Sequence, residues 1–186
     1  MLEVEMKFPA GNISEIERKL GALHSPLLST RDEVDQYFNA PDRDFAQTDE
    51  ALRLRRIGEK NFLTYKGPKR DSETKTRLEL EVAFAEGNEP AGRFTLILQV
   101  LGYRPVAEVR KRRRIYHLKR ENFDVEVCLD QVHEVGTFVE LEISTQKSDE
   151  AEARRTIKQL AGELGLEGSE RRSYLEILLS RRGSRS

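Results

Sequence analysis

The segment Glu3-Val-Glu-Met-Lys7 alternates charge with hydrocarbon, and a near copy returns as Glu79-Leu-Glu-Val-Ala83. Successive side chains of a strand point to opposite faces. An extended segment here therefore carries Glu3, Glu5 and Lys7 on one side and Leu2, Val4, Met6 and Phe8 on the other. Such a strand fits a sheet with one dry face, and three consecutive charges on its other face call for partners. The copies extend past the strands. Residues 3–12 align without gaps on 79–88, with identities at both glutamates and at Phe8/Phe84, Gly11/Gly87 and Asn12/Asn88, which reads as an internal duplication.

Asn12 and Asn88 are each placed to cap a helix. Ile13, Ile16, Leu20 and Leu23 keep helical spacing after the first, and Phe94, Ile97, Val100 and Leu101 after the second. Glu15 completes a capping-box pattern with Asn12, Pro90 suits a first turn, and Gly102 suits a helix stop. Strand patterns follow at 33–38, 51–57 and 61–66 in the first half and at 107–118, 122–130 and 137–144 in the second. Each half reads β-α-β-β-β. Eight strands suffice to close an antiparallel barrel, which removes unpaired edges. Two helices end the chain. One spans 149–164 with Ile157, Leu160, Ala161 and Leu164 on one face; the other runs from 172 to about 181 and is apolar at Tyr174, Leu175, Ile177, Leu178 and Leu179. Residues 182–186 read as a frayed tail. The expected class is α+β, dominated by an eight-stranded antiparallel closed barrel, in one domain over residues 1–181.

Charged residues make up 35% of the 186, yet 32 Lys and Arg nearly cancel 33 Asp and Glu, so any electrostatic task is local. The single Cys128 excludes an internal disulfide and a Cys-rich zinc site, and it reads as filling space. With no leader pattern and no long apolar run, a cytoplasmic protein without membrane contact is expected. His24, His117 and His133 lack zinc-protease spacing. The run Arg110-Lys-Arg-Arg-Arg114 splits between two strand faces without an aromatic platform, so nucleic acid is not an expected partner.

One parity along the strands collects Glu3, Glu5 and Lys7; Arg53 and Arg55; Lys66; Arg77, Glu79 and Glu81; Lys111 and Arg113; Glu126 and Asp130; Glu140 and Glu142. The opposite parity is apolar, including Leu78, Leu80 and Val82, except for Arg112 and Arg114, which point to a strand partly uncovered outside. A solvated sheet face alone accounts for charge. Glu and Lys, however, are poor strand formers, and a wet face without a task would also hold Thr, Ser and Gln. Turned inward, incompletely compensated ions cost several kcal/mol each. A hard divalent cation among Glu3, Glu5, Glu140 and Glu142 relieves the carboxylates, with all-oxygen ligation favouring Mg²⁺ or Mn²⁺. Lys7, Arg53, Arg55, Lys66, Lys111 and Arg113 then ask for a polyanion, and a metal-bound triphosphate satisfies both sets. Asp35, Tyr37 and Phe38 read as packing and strand-pairing residues, and Tyr174 as helix core.

This ordered set resembles the CYTH domain proteins, also called triphosphate tunnel metalloenzymes. Their Glu-x-Glu-x-Lys first strand is matched by Glu3, Glu5 and Lys7. The resemblance runs on through Asp35-Gln-Tyr-Phe38, Leu52-Arg-Leu-Arg55, Thr64-Tyr-Lys-Gly-Pro68, Arg77-Leu-Glu-Leu-Glu81, Lys111-Arg-Arg113, Cys128-Leu-Asp130, Gly136-Thr-Phe-Val-Glu-Leu-Glu142 and Ser173-Tyr-Leu-Glu176. It implies a tunnel that binds a triphosphate and Mg²⁺ or Mn²⁺, with Glu3, Glu5 and Lys7 in catalytic roles. Glu3, Glu5, Glu140 and Glu142 look like the principal metal ligands, with Asp130, Glu79 and Glu81 as supporting carboxylates. Lys7, Arg53, Arg55, Lys66, Lys111 and Arg113, joined by Arg77, look like triphosphate contacts. The family holds class IV adenylyl cyclases, thiamine triphosphatases and inorganic triphosphatases, and the wording here is most like the short cyclase branch. The expectation is cyclisation of ATP to cyclic AMP and pyrophosphate. Hydrolysis of tripolyphosphate or thiamine triphosphate is the alternative, non-catalytic polyphosphate binding ranks third, and a homodimer is a further candidate state.

Overall fold

The computed structural model describes residues 2–69 and 77–183. The elements run β1 (Leu2–Pro9), α1 (Ile13–Ala22), β2 (Leu27–Asn39), α2 (Phe45–Thr48), β3 (Ala51–Ile57), β4 (Lys60–Lys66), β5 (Arg77–Phe84), α3 (Asn88–Val100), β6 (Arg104–Arg120), β7 (Phe123–Val132), β8 (Gly136–Thr145), α4 (Glu150–Leu164) and α5 (Tyr174–Gly183). The strands close into an antiparallel barrel in the order β1-β5-β4-β3-β2-β6-β7-β8. Exchanging β1 with β5, β2 with β6, β3 with β7 and β4 with β8 regenerates this cycle read backwards. The sequence duplication is therefore expressed as a pseudo-twofold passing through the β1/β5 and β2/β6 seams.

The two seams differ. β2 and β6 pair from Leu27↔Tyr116 to Asn39↔Arg104, whereas among the described residues β1 and β5 meet at Leu2↔Leu78 and Glu3↔Arg77. Further along β1, the segment after α4 takes over: the Glu170 N–H donates to the Lys7 carbonyl at 2.7 Å.

The hydrocarbon parity of β1, β6, β7 and β8 points outward and is covered by α1 and α4. Leu20, Ile157, Leu160 and Leu164 meet Val4, Val125, Val127, Leu141 and Ile143 in the largest core cluster. Each such fully buried aliphatic side chain contributes about 1.5–3 kcal/mol. α5 packs Tyr174, Ile177 and Leu178 against Val109, Val132, Val135 and Phe138 at the barrel end where β7 finishes and β8 begins. Local chemistry fits these elements. Asn12 Oδ1 accepts the Glu15 N–H at 3.2 Å and starts α1. Gly58, at φ +58, supplies the left-handed position in the two-residue link between β3 and β4.

Several expectations are corrected. Asn88 is the first residue of α3 and not its cap; Gly87 at φ +99 precedes it, without a side-chain cap bond. α3 carries two apolar stripes, and the barrel covers only one. Ala91 and Leu98 are buried and Phe94 stacks on Phe84 at 4.7 Å, while Ile97, Val100 and Leu101 stay exposed. On β5 the expected dry residues Leu78, Leu80 and Val82 are exposed, and among the described residues of the first half no helix stands where α4 covers β1 and β8 in the second. The outer charge on β6 is partly covered after all: Arg114 and the Tyr116 hydroxyl both bond Glu17 of α1. Part of the segment expected to fray is helical. Arg182 lies in the last turn of α5 with Nη2 2.9 Å from Glu134 Oε1, and residues 184–186 fall outside the described part. No helix among the described residues is long and apolar enough to cross a membrane.

Candidate functional site

The charged parity points inward, into a cavity of about 490 Å³ inside the barrel. On the side formed by β2, β3 and β6, charges are compensated. Asp35 accepts from Arg55 at 2.7 Å on each carboxylate oxygen and from Lys111 at 3.0 Å, and it lies 3.5 Å from Arg53. Glu33 lies 3.0 Å from Arg55, 2.8 Å from Lys111 and 2.7 Å from Arg31. Burial alone would raise both carboxyl groups. Lys111 and the arginines together outweigh it, with Arg55 and Arg113 acting at Glu33 and Arg53 and Arg55 at Asp35, and both are held well below the usual carboxylate range.

The side formed by β1, β8 and β7 has the opposite balance. The register sets Glu5 opposite Glu142, Glu142 opposite Glu126, and Lys7 opposite Glu140. Arg113 is the guanidinium that reaches this wall. It forks onto Asp130 at 2.7 and 2.6 Å, bonds Glu140, and lies 3.4 Å from Glu142. Burial pushes Glu142 well above the usual range; Arg113 opposes this, and Glu3, Glu140 and Glu5 reinforce it. A carboxyl in that state is stabilised by a proton or by a cation. Among the described residues, the ligand atoms that gather within 4.8 Å of one another belong to Glu126, Cys128 and Glu142, with Glu3, Glu5 and Glu140 adding their charge to the same wall. The carboxylates fit a hard divalent ion. The Cys128 thiol is pushed far up by burial, with Arg113 opposing, so it is protonated and a poor ligand.

The second Glu-x-Glu copy is held by bases. Glu79 bonds Lys66 and lies 3.8 Å from Arg53. Glu81 accepts from the Thr64 hydroxyl at 2.8 Å and lies 3.7 Å from Arg53. Of the five buried guanidinium Nε atoms that find no acceptor among the described residues, those of Arg53 and Arg77 belong to residues lining the cavity. At the α5 end, Lys7 is 1% exposed, donates to the Arg172 carbonyl, and stands 4.1 Å from the centre of the Tyr174 ring. The Tyr174 hydroxyl donates to Asp130 Oδ2 at 2.8 Å.

The structure thus gathers Glu3, Glu5, Lys7, Arg53, Arg55, Lys66 and Arg77 around one cavity. Glu79, Glu81, Lys111, Arg113, Glu140 and Glu142 complete the same lining. Asp130 stands apart: it is fully buried behind the lining, and both its oxygens are taken by Arg113, one of them by Tyr174 as well. Asp35, Tyr37 and Phe38 pack and pair as expected and Tyr174 sits in a core cluster, and all four also line the cavity. The odd-numbered run Arg31, Glu33, Asp35 was the available signal for β2, and it emerges only when the strand is started before residue 33. Glu126 lay on the inward parity, and its place beside Glu142 comes from the β7–β8 register.

Comparison with known proteins agrees with this architecture. A Methanocaldococcus jannaschii protein provisionally named an adenylate cyclase is 37% identical over 182 residues, covering 95% of this chain and 98% of that protein. The adenylate cyclase CyaB of Aeromonas hydrophila is 31% identical over 180 residues, covering 92% of this chain and 86% of that one. Among solved structures, the PH1819 protein of Pyrococcus horikoshii superposes with a TM-score of 0.85 at 39% identity, covering 97% of this chain and 99% of that chain. The CYTH domain family model matches residues 1–174, and the chain belongs to that family.

Proposed function

We propose that this chain is a metal-dependent enzyme that holds a triphosphate inside its barrel, and that its substrate is ATP, converted to cyclic AMP and pyrophosphate. The observation that carries the reading is the cavity itself. Bases and a crowded wall of carboxylates share it, and the buried Nε donors of Arg53 and Arg77, both lining residues, find no acceptor among the described residues. Buried donors without partners cost stability unless a ligand completes them. Triphosphate oxygens do so, and Arg forks and Lys ammonium groups suit phosphate geometry. The names of the two cyclase relatives support ATP as the substrate.

In this reading Glu5, Glu142 and Glu126, with Glu3 and Glu140 beside them, hold Mg²⁺ or Mn²⁺, which supplies Lewis-acid polarisation of phosphoryl oxygens and charge neutralisation. Arg53, Arg55, Lys66, Arg77 and Lys111 grip and align the phosphates from the opposite wall. Asp35 and Glu33 keep Arg55 and Lys111 pre-oriented, so little reorganisation is needed when the substrate arrives. Asp130 acts as a positioning residue through its fork with Arg113. The ribose 3′ hydroxyl then gives up its proton to a lining carboxylate or to solvent as its oxygen attacks the α-phosphorus and the bond to pyrophosphate breaks, and the protein's contribution is alignment and charge.

The test is incubation with ATP and Mg²⁺ or Mn²⁺ followed by product identification. Cyclic AMP with pyrophosphate is expected. Release of phosphate from tripolyphosphate or thiamine triphosphate, without cyclic AMP from ATP, would replace cyclisation by hydrolysis, and no binding of any triphosphate would overturn the tunnel reading.

A further inference from the structure

The two halves of the barrel are not covered alike on the outside. In the internal duplication Leu2, Val4 and Met6 of β1 correspond to Leu78, Leu80 and Val82 of β5. The β1 residues are 9% exposed or less, and α4 lies on β8 and β1 and touches α1. Their β5 counterparts keep 38%, 55% and 65% of their surface exposed. The pseudo-twofold carries β8 and β1 onto β4 and β5, and α1 and α3 each follow the equivalent strand, so the place equivalent to that of α4 lies over β4 and β5 beside α3. Among the described residues no helix occupies it. Its floor is apolar: Val82 and Leu80 pair with Leu63 and Tyr65 of β4, both partly buried. Its side wall is α3. Thr95 bonds Gln36 of β2 and Phe94 stacks on Phe84 of β5, so at about 3.6 residues per turn Ile97 and Leu101 fall on the β5 flank of the helix, with Val100 further out.

The chain thus holds both an uncovered apolar place shaped for a helix and a helix with an uncovered apolar stripe. A helix that is apolar on opposite sides is normally buried on both. We infer that a second copy of this chain docks here, each copy laying the outer stripe of α3, Leu96, Ile97, Val100 and Leu101, across β4 and β5 of the other, in the position that α4 holds over β8 and β1. The exchange is isologous, as a twofold dimer requires, because one patch carries both complementary surfaces. These four residues and the three of β5 expose on the order of 700 Å² per copy, above the roughly 300–600 Å² of the largest patch on a typical monomer and close to the roughly 800 Å² per partner of a stable interface. A membrane is the poorer occupant. The charged residues of α3 are Glu89 and Arg93, which pair with each other at 2.6 Å, so the helix lacks the basic face of one that lies on a lipid surface.

The test is the mass of the full chain by light scattering and sedimentation over a range of protein concentration, in wild type, Leu80→Lys, Val100→Glu and Leu28→Lys. Wild type is expected at twice the 21.5 kDa mass of the chain. Leu80→Lys and Val100→Glu each bury two unpaired charges per dimer and are expected to weaken association about 100-fold or more. Mixing those two variants is expected to restore a dimer, since the lysine of one copy then lies under the glutamate-bearing α3 of the other. Leu28→Lys changes a residue exposed to a similar degree on β2, three strands from β5, and is expected to leave the mass unchanged. All three positions are exposed in the single chain, so the variants should keep the wild-type circular dichroism. A monomeric wild type, a dimer indifferent to both patch variants, or a mixture that stays monomeric overturns the inference. A monomeric wild type that adsorbs to vesicles of phosphatidylcholine and phosphatidylglycerol, and loses this in Leu80→Lys and Val100→Glu, also overturns it and assigns the face to a membrane.

Discussion

One motif occurs twice in this barrel and lives in two electrostatic worlds. On β1, Glu5 faces Glu142 of β8, and Glu3 sits in the same carboxylate field; on β5, Glu79 faces Lys66 and Glu81 faces Thr64 of β4. The pseudo-twofold sets β8 and β4 in equivalent places, and the difference arises from what those two strands carry. Where the neighbour strand supplies bases, the Glu-x-Glu pair is locked in ion pairs. Where it supplies more carboxylates, the pair stands in a like-charge field that Lys66, 3.6 Å from Glu3, offsets only in part. The motif alone does not make a metal site; the strand hydrogen-bonded beside it decides.

Asp35→Asn tests the compensated side with the largest expected effect. Arg53, Arg55 and Lys111 all lean on this buried carboxylate, and removing its charge leaves them facing one another. The expected loss is about 3–5 kcal/mol in urea denaturation, and a loss under about 1 kcal/mol would show that the network is solvated in solution. The pH dependence has a definite sign. Asp35 and Glu33 are held below their ordinary values, so the stability they contribute is present above about pH 4 and is lost as pH falls through their lowered values.

Glu142→Gln tests the other side, with the opposite sign in stability. In chelator-treated protein the raised Glu142 carboxyl favours folding while protonated, and stability is lost as pH rises from its ordinary value toward the raised one. Replacing it by Gln is expected to raise the Tm of the metal-free protein at pH 7 while lowering metal-dependent turnover about 100-fold or more. Glu79→Gln should do neither, since it removes the partner of Lys66 on the compensated side. Equal responses of the two variants would erase the contrast between the copies.

Arg77→Ala is expected to have a smaller effect, confined to the ligand. Its Nε has no acceptor to abandon among the described residues, so KM for the triphosphate should rise about tenfold with little change in Tm. A fall in kcat at unchanged KM would instead assign Arg77 to the transition state.

The sequence carried the barrel because strict alternation leaves little freedom. β3 was placed to the residue, and the other strands were found with at least one end too short, most of all β2 and β6, which extend past their alternating cores as the long seam. What it did not carry was anything decided by neighbours. Which stripe of α3 is dry depends on the barrel under it. Asp35 and Tyr174 looked like packing because each is buried; only the paired strand and the docked helix reveal the ions beside them. Cys128 was placed inward by parity, and its thiol does lie at the carboxylate wall.

Tyr174→Phe addresses the junction of the two walls and has the smallest expected effect. The hydroxyl donates to Asp130, which still keeps both arms of the Arg113 fork when the hydroxyl is gone, while the ring over Lys7 remains. Losing one hydrogen bond to a carboxylate that stays well paired costs about 1 kcal/mol, read as a Tm lower by about 2–4 °C. Tyr174→Ala removes the ring as well and should cost about 3–5 kcal/mol, as for other large aromatic truncations. The informative quantity is turnover in the Phe variant. If Asp130 alone orients Arg113, KM and kcat stay near wild type. A KM increase without further loss of stability would mean that the α5 helix sets the guanidinium's position from outside the barrel, and that the carboxylate wall is tuned by the chain's last helix as much as by its strands.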